Sequence, residues 1–199
     1  MRIGLLGGSF DPIHKAHIAL ALAALHNRHL DEVQLIPAGQ PWQKPSLHAT
    51  PQQRAEMIEI AINGIAALSM NRMELERSGA TYTIDTLENL SPKHTYYWIL
   101  GSDQLANFCS WHRWSDVAQR VTLLVAARPG VSPEIPAPLA QQIEQGRACV
   151  EFLPFEPMDV SANDLRQRIA SGESFDELVD PAVAHYIKQH KLYEKSGQE

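Results

Sequence analysis

The sequence predicts an α/β fold, a doubly wound parallel sheet with helices on both faces and a C-terminal helical extension. Two observations carry this prediction. Short apolar runs alternate with helix-forming stretches along the chain, and hairpin signals between those runs are scarce. Neither an internal repeat nor a low-complexity tract interrupts the alternation.

Taken in order, Arg2–Leu6 reads as a short apolar strand ended by Gly7-Gly8. A polar loop leads to His17–Arg28, rich in Ala and Leu and strongly helix-forming. Glu32–Ile36 is a second strand, followed by the Pro- and Gly-containing loop Pro37–Thr50. Thr50-Pro51 supplies an N-cap and a first-turn proline for a helix through Asn63. Asn71–Glu76 is a weaker strand, and Thr83–Leu90 a short helix. Thr95–Leu100 is aromatic and apolar, a buried strand stopped by Gly101-Ser102-Asp103. Helical stretches follow at Gln104–Phe108 and Ser115–Arg120, with a Trp-containing loop between them. Val121–Ala126 is the clearest strand, and Arg128-Pro129-Gly130 stops it. Pro138–Gln145 reads as a helix and Val150–Leu153 as a strand. Ala162–Ser171 and Pro181–His190 are the closing helices. The Pro-rich stretch Arg128–Pro138 is a loop, too short to divide two domains.

The 199 residues correspond to one domain, 1–199, at roughly 150 residues per domain. Seventeen Lys and Arg against 23 Asp and Glu leave a net charge of −6, which argues against a non-specific nucleic-acid binder. The apolar run Ile18–Leu25 is far short of the ~20 residues of a membrane span. The first residues lack the order of a secretory leader. Cys109 and Cys149, the two cysteines, have no metal-like or CxxC spacing and suit a reducing cytoplasm. The expectation is a soluble cytoplasmic protein with neither membrane nor nucleic acid as partner.

In an open parallel sheet, ligands bind beyond the carboxyl ends of the strands. Three predicted strands end in small or polar segments: Gly7–Asp11, Gly101–Asp103 and Ala127–Gly130. If those strands are neighbours, the segments converge on one crevice. The first continues as Gly7-Gly-Ser-Phe-Asp-Pro-Ile-His-Lys-Ala-His17, which is neither a GxGxxG fingerprint nor a Walker A loop. Adjacent glycines allow backbone N–H groups to approach a ligand, and Asp11-Pro12 holds the chain extended before the helix. His14 and His17, three apart, share one face of the first turn, where the positive end of the helix dipole suits a phosphate. Asp11, His14 and His17 also allow a three-ligand metal reading, although no zincin pattern completes it.

A second segment, Val160-Ser-Ala-Asn-Asp-Leu-Arg166, has Ser161 and Asp164 in a capping-box-like pair. A capped helix N-terminus with Arg166 one turn in makes a second phosphate site.

The stretch Gly7–His17 resembles the GGxFDPxHxGH signature of the nucleotidylyltransferases. Val160–Arg166 resembles their second signature, ISxTxIR. Pro37–Lys44, Arg54–Met57, Thr81–Leu87, Gly101–Asp103 with Trp111, and Ala127–Gly130 resemble one branch, the bacterial nicotinate mononucleotide adenylyltransferases. The resemblance runs from residue 1 to about Tyr193 and implies a Rossmann-like fold. It further implies that ATP and nicotinate mononucleotide are joined, giving nicotinate adenine dinucleotide and pyrophosphate, a step of NAD biosynthesis. Carried over residue by residue, it puts His14 and His17 on the ATP phosphates, with His17 stabilising charge in the transition state. Arg166 and Ser161 hold the β- and γ-phosphates, and His14, His17 and Arg166 form the catalytic set. Gly7, Gly8, Ser9 and Phe10 line the nucleotide floor, while Gly101 and Asp103 meet the ribose. Lys44, Thr83, Trp111 and His112 meet the mononucleotide, a Trp face being able to stack the pyridine ring. Mg²⁺ arrives with ATP, bridging phosphates, with no metal site in the protein itself. The chain departs from the signatures at Ala16, at Ala162-Asn163 and at Gln43.

Phosphopantetheine and nicotinamide mononucleotide stand as alternative substrates. A metal-dependent hydrolase and a non-catalytic nucleotide-binding module are the readings from other classes.

Overall fold

The structure, a computed structural model, describes residues 1–40 and 47–195. Among these residues, six parallel strands form one sheet: β1 (Arg2–Gly8), β2 (Glu32–Pro37), β3 (Leu68–Met70), β4 (Thr95–Gly101), β5 (Thr122–Ala127) and β6 (Cys149–Pro154). Their spatial order is β3-β2-β1-β4-β5-β6, and every pairing is parallel. Among the described residues, eight α-helices connect or follow them: α1 (Lys15–Asn27), α2 (Pro51–Ile62), α3 (Thr83–Glu88), α4 (Ser102–Ala106), α5 (Trp114–Arg120), α6 (Ala137–Glu144), α7 (Ala162–Ser171) and α8 (Pro181–Gln189).

Alternation along each strand divides the apolar residues between two cores. Leu6, Leu35, Ile99 and Leu124 face one, with Ala21, Met57, Leu165 and Val183 from α1, α2, α7 and α8 packed over them. Leu5, Ile36, Leu100 and Val125 face the other, covered by Ile84, Leu105, Val117 and Leu139 from α3, α4, α5 and α6. This is the doubly wound sheet the alternation predicts. The C-terminal helical extension, α7 and α8, packs into the first core. Among the described residues, no helix is long and apolar enough to cross a membrane.

Local chemistry explains the helix starts. Thr50 Oγ1 accepts from Gln53 N at 3.2 Å, and Gln53 Oε1 accepts from Thr50 N at 2.9 Å, a reciprocal capping box ahead of Pro51. Ser161 Oγ likewise accepts from Asp164 N at 3.1 Å, opening α7, and Gly172 closes that helix in the left-handed conformation.

One predicted strand is wrong. The edge strand β3 is Leu68–Met70, and Asn71–Glu76 turns instead of extending. Asn71 N still donates to Leu35 O, but the Asn71 side chain then accepts from Met73 N at 3.1 Å. Leu75 N and Glu76 N both donate to Arg72 O. An Asx turn thus bends the chain out of the sheet, defeating the polar–apolar alternation of this stretch. Elsewhere, α4 begins at Ser102, two residues before its predicted start, so Ser102 and Asp103 lie in its first turn.

Candidate active site

The chain leaves β1 for β2 and β3 on one side and returns as β4 on the other, so β1 and β4 flank a topological switch point. In open α/β sheets, ligands bind beyond the carboxyl ends of the strands at such a point. The three segments expected to converge follow β1, β4 and β5, which are consecutive neighbours in the sheet.

The β1–α1 loop is held from several sides. Gly7 must be glycine because a Cβ there would sit 2.7 Å from the ring of Trp98, itself buried in β4. Phe10 is buried with φ of +46°, and its ring meets His17 edge-on at 4.9 Å. Asp11 and Pro12 lie in a turn with a cis peptide, not in the extended chain the sequence predicts. The Asp11 carboxylate, 1% exposed, ties this turn to the rest of the molecule. It accepts from His48 N at 2.8 Å, Ala49 N at 3.0 Å and the Tyr193 hydroxyl at 2.8 Å.

His14 is the N-cap of α1 rather than a residue of its first turn, and His17 is the third helical residue. The two rings still come together, stacked 3.7 Å apart. His17 Nδ1 accepts from His14 N at 3.2 Å, which puts the proton of the neutral ring on Nε2. Burial pushes the His14 pKa down to about 4, so this ring is neutral near pH 7. Its Nδ1 is buried without a hydrogen-bond partner, an unsatisfied group of the kind a bound ligand relieves.

Arg166, on the first turns of α7, crosses to the β1–α1 loop. Its Nη1 donates to Asp11 O at 2.7 Å, and Nη2 donates to Asn163 Oδ1 at 3.3 Å. The two signature segments, 155 residues apart, are therefore joined by a direct hydrogen bond. Asn163 aims the guanidinium where the family signature carries a hydroxyl.

The β4 and β5 side is more open. Gly101 N donates to Gln104 Oε1 at 3.1 Å, yet a Cβ on Gly101 would meet nothing within 4 Å. Asp103 is exposed in the first turn of α4. Ser102 Oγ donates to Ala126 O, which links the ends of β4 and β5.

The residues expected on the mononucleotide side lie around α3 and the loop before α5. Thr83 opens α3, and the neighbouring Tyr82 ring is 4.5 Å from His112. Trp111 is half-buried, edge-on to Trp98 at 6.3 Å and tilted against Phe108 at 5.2 Å, so much of it belongs to the second core. Lys44 and Gln43 lie outside the described residues.

Sequence reasoning missed the groups that hold these loops. Arg54, fully buried on α2, donates through Nη1 to Ser9 O at 2.7 Å, with Nη2 3.4 Å from Gly39 O. Burial lowers its pKa, and the nearby Asp11 and Tyr193 oppose that shift. Glu74 is buried beneath the β2 exit, accepting from Thr86 Oγ1 at 2.8 Å, and burial raises its pKa. Gly39 approaches so closely that a Cβ would lie 2.1 Å from Glu74 O. One signal for Arg54 was available. It shares the spacing i, i+3, i+4 with Met57 and Ile58, a cation on an otherwise apolar stripe. For Tyr193, 182 residues from Asp11, there was none.

The metal reading of Asp11, His14 and His17 fails on geometry, because the Asp11 carboxylate faces His48, Ala49 and Tyr193. Among the described residues, no group of three or more His, Cys, Asp or Glu is placed to hold a metal ion.

Residues 5–168 match the model of the cytidylyltransferase-like family. A Bordetella pertussis protein named "Probable nicotinate-nucleotide adenylyltransferase" is 53% identical over 192 residues, covering 96% of this chain and 98% of that one. A Methylibium petroleiphilum protein of the same name is 39% identical, with 96% and 92% covered. Among solved structures, the nicotinic acid mononucleotide adenylyltransferase of Plasmodium falciparum complexed with NaAD superposes with a TM-score of 0.75. It is 22% identical, and 96% of this chain and 97% of that chain are covered.

Proposed function

The chain belongs to the cytidylyltransferase-like family, within its nicotinate-nucleotide adenylyltransferase branch, and from that premise we propose that it adenylylates nicotinate mononucleotide with ATP. It is a nucleotidyltransferase of NAD biosynthesis. The mononucleotide phosphate oxygen attacks the α-phosphorus of ATP, the bond from that phosphorus to the α,β-bridging oxygen breaks, and pyrophosphate leaves with the electron pair. The phosphate is already a nucleophile, so the protein supplies position and charge stabilisation. One nucleotidylyltransferase domain, residues 1–199, carries the reaction.

The observation that carries this reading is the Arg166–Asp11 hydrogen bond, which joins the histidine loop and the N-terminus of α7 into one anion-binding surface. In it, His17 donates from Nε2 to the α-phosphoryl oxygens as charge develops there. His14, neutral through burial, contributes a hydrogen bond but no charge. Arg166, Ser161 and the first amides of α7 hold the β- and γ-phosphates. Gly7, Gly8, Ser9 and Phe10 floor the nucleotide site, and Gly101 and Asp103 receive the ribose hydroxyls. Lys44, Thr83, Trp111 and His112 receive the mononucleotide. Mg²⁺ enters as part of the ATP substrate, held by phosphate oxygens. Work in a reducing cytoplasm is consistent with the free thiols of Cys109 and Cys149.

Pyrophosphate release tests the reading, with ATP and, in turn, nicotinate mononucleotide, nicotinamide mononucleotide and phosphopantetheine. Fastest turnover with the first is expected. No turnover with it, alongside turnover of phosphopantetheine, overturns the branch assignment of the substrate.

A further inference from the structure

Tyr193 lies beyond the matched family region, in the turn after α8, with a left-handed backbone at φ of +65°. Its hydroxyl reaches back across the molecule to Asp11 Oδ1 at 2.8 Å. The same carboxylate accepts the backbone N–H groups of His48 and Ala49, at the end of the loop between β2 and α2. The carbonyl of Asp11 accepts Arg166. One residue is thus the meeting point of four segments: the histidine loop, the β2–α2 loop, the N-terminal turns of α7 and the turn after α8. Arg54 is electrostatically coupled to both Asp11 and Tyr193, and it holds the carbonyl of Ser9, two residues before Asp11.

In this arrangement we infer that Tyr193 is a positioning residue that acts through Asp11 to hold the histidine loop and Arg166, the ATP-phosphate side of the site, in one fixed relation to the end of the β2–α2 loop. The inference rests on the proposed adenylyl transfer. Two features make the tyrosine suited to the role. Burial and the adjacent Asp11 carboxylate raise its pKa far above that of a free phenol, so it stays a donor. Its ring is rigid, with two side-chain torsions, and α8 anchors its backbone: Leu192 N donates to Ile187 O at 3.0 Å. Without the hydroxyl, Asp11 keeps the backbone N–H groups of His48 and Ala49 and the His48 imidazole 3.5 Å from Oδ2, but loses its closest side-chain donor. Its carbonyl, and with it Arg166, then becomes less well placed relative to His48 and Ala49.

The test is Tyr193→Phe in the full chain, which removes one oxygen and conserves volume. Steady-state pyrophosphate release is measured with ATP and nicotinate mononucleotide each varied. A purely structural role lowers kcat with the folded fraction and leaves both KM values unchanged. The expected result is a rise in the KM for ATP of about fivefold, the scale of one lost hydrogen bond. An unchanged KM for ATP, or a rise confined to nicotinate mononucleotide, overturns the inference. Coupling is read in the Arg166→Lys background, where Tyr193→Phe is expected to add less than about twofold to the KM for ATP. A full fivefold addition there also overturns it. Tyr193→Met supplies the same readings if the Phe variant does not purify folded. Wild-type enzyme that fails to turn over nicotinate mononucleotide counts against the proposed function instead, so the two failures are distinguishable.

Discussion

The β1–α1 loop and the β4–α4 junction leave neighbouring strands at the same switch point, and both begin with glycine, yet they are built on opposite plans. In the first, Gly7 is wedged against Trp98, Phe10 holds a left-handed backbone, His14 is buried and neutral, and Asp11 is tied to three donors. In the second, a Cβ on Gly101 would meet open space, and Asp103 is exposed. A preorganised oxyanion site needs its donors fixed before the reaction, and the first loop has that character. A ribose needs only hydroxyl acceptors at a wide opening, which the second offers. Stability and activity are therefore coupled in the first region and separable in the second.

The sharpest attempt to break this contrast is His17→Ala. It is expected to leave ATP binding measurable while lowering turnover more than ~100-fold, the usual scale for a lost charge-stabilising donor. Single-turnover kinetics beside ATP titration check it, and near-normal turnover removes His17 from its role. Next comes Gly7→Ala, which forces a methyl to within 2.7 Å of the Trp98 ring. Urea unfolding should register a loss of about 2 kcal/mol, as overpacking of a filled core does. An unchanged midpoint would mean that Trp98 yields and that the first loop is looser than its packing implies.

A third test uses pH. His14 is held near a pKa of about 4 when folded, against 6.5 for the free group, so the unfolded chain binds more protons between these values. The stability contributed by keeping it neutral is full above pH 6.5 and is lost as the pH falls toward 4, at up to about 1.4 kcal/mol per pH unit. Urea midpoints at pH 7.5, 6 and 5 should follow that slope, and His14→Gln should flatten it. The smallest effect is expected at Gly101→Ala. Thermal stability should be unchanged, while the KM for ATP rises about fivefold, the equivalent of about 1 kcal/mol from a methyl in the ligand's space. A fall in stability without a change in KM would show that the second region is as tightly packed as the first.

The fold was legible because its signals are local and periodic. Leu5 and Leu6 point to opposite cores, as strand alternation requires, and Thr50 and Ser161 cap the helices that follow them. The exception, Asn71–Glu76, depended on one side chain bonding its own backbone two residues on. At the site, the histidines and Arg166 were legible through contiguous motifs. Their electrostatics were not, since the spacing of His14 carries no information about its burial. Asp11 illustrates the same limit: read from spacing as a potential metal ligand, it is instead a structural acceptor for chain segments far away in sequence.

The reach of Tyr193 to Asp11 has a consequence for synthesis. A chain made from its N-terminus completes the histidine loop well before its anchor, 182 residues on, so a ribosome-bound intermediate holds the motif without its full set of restraints. Contacts of such sequence separation raise contact order and slow folding. They also make the fully restrained histidine loop a report that the chain has folded through α8.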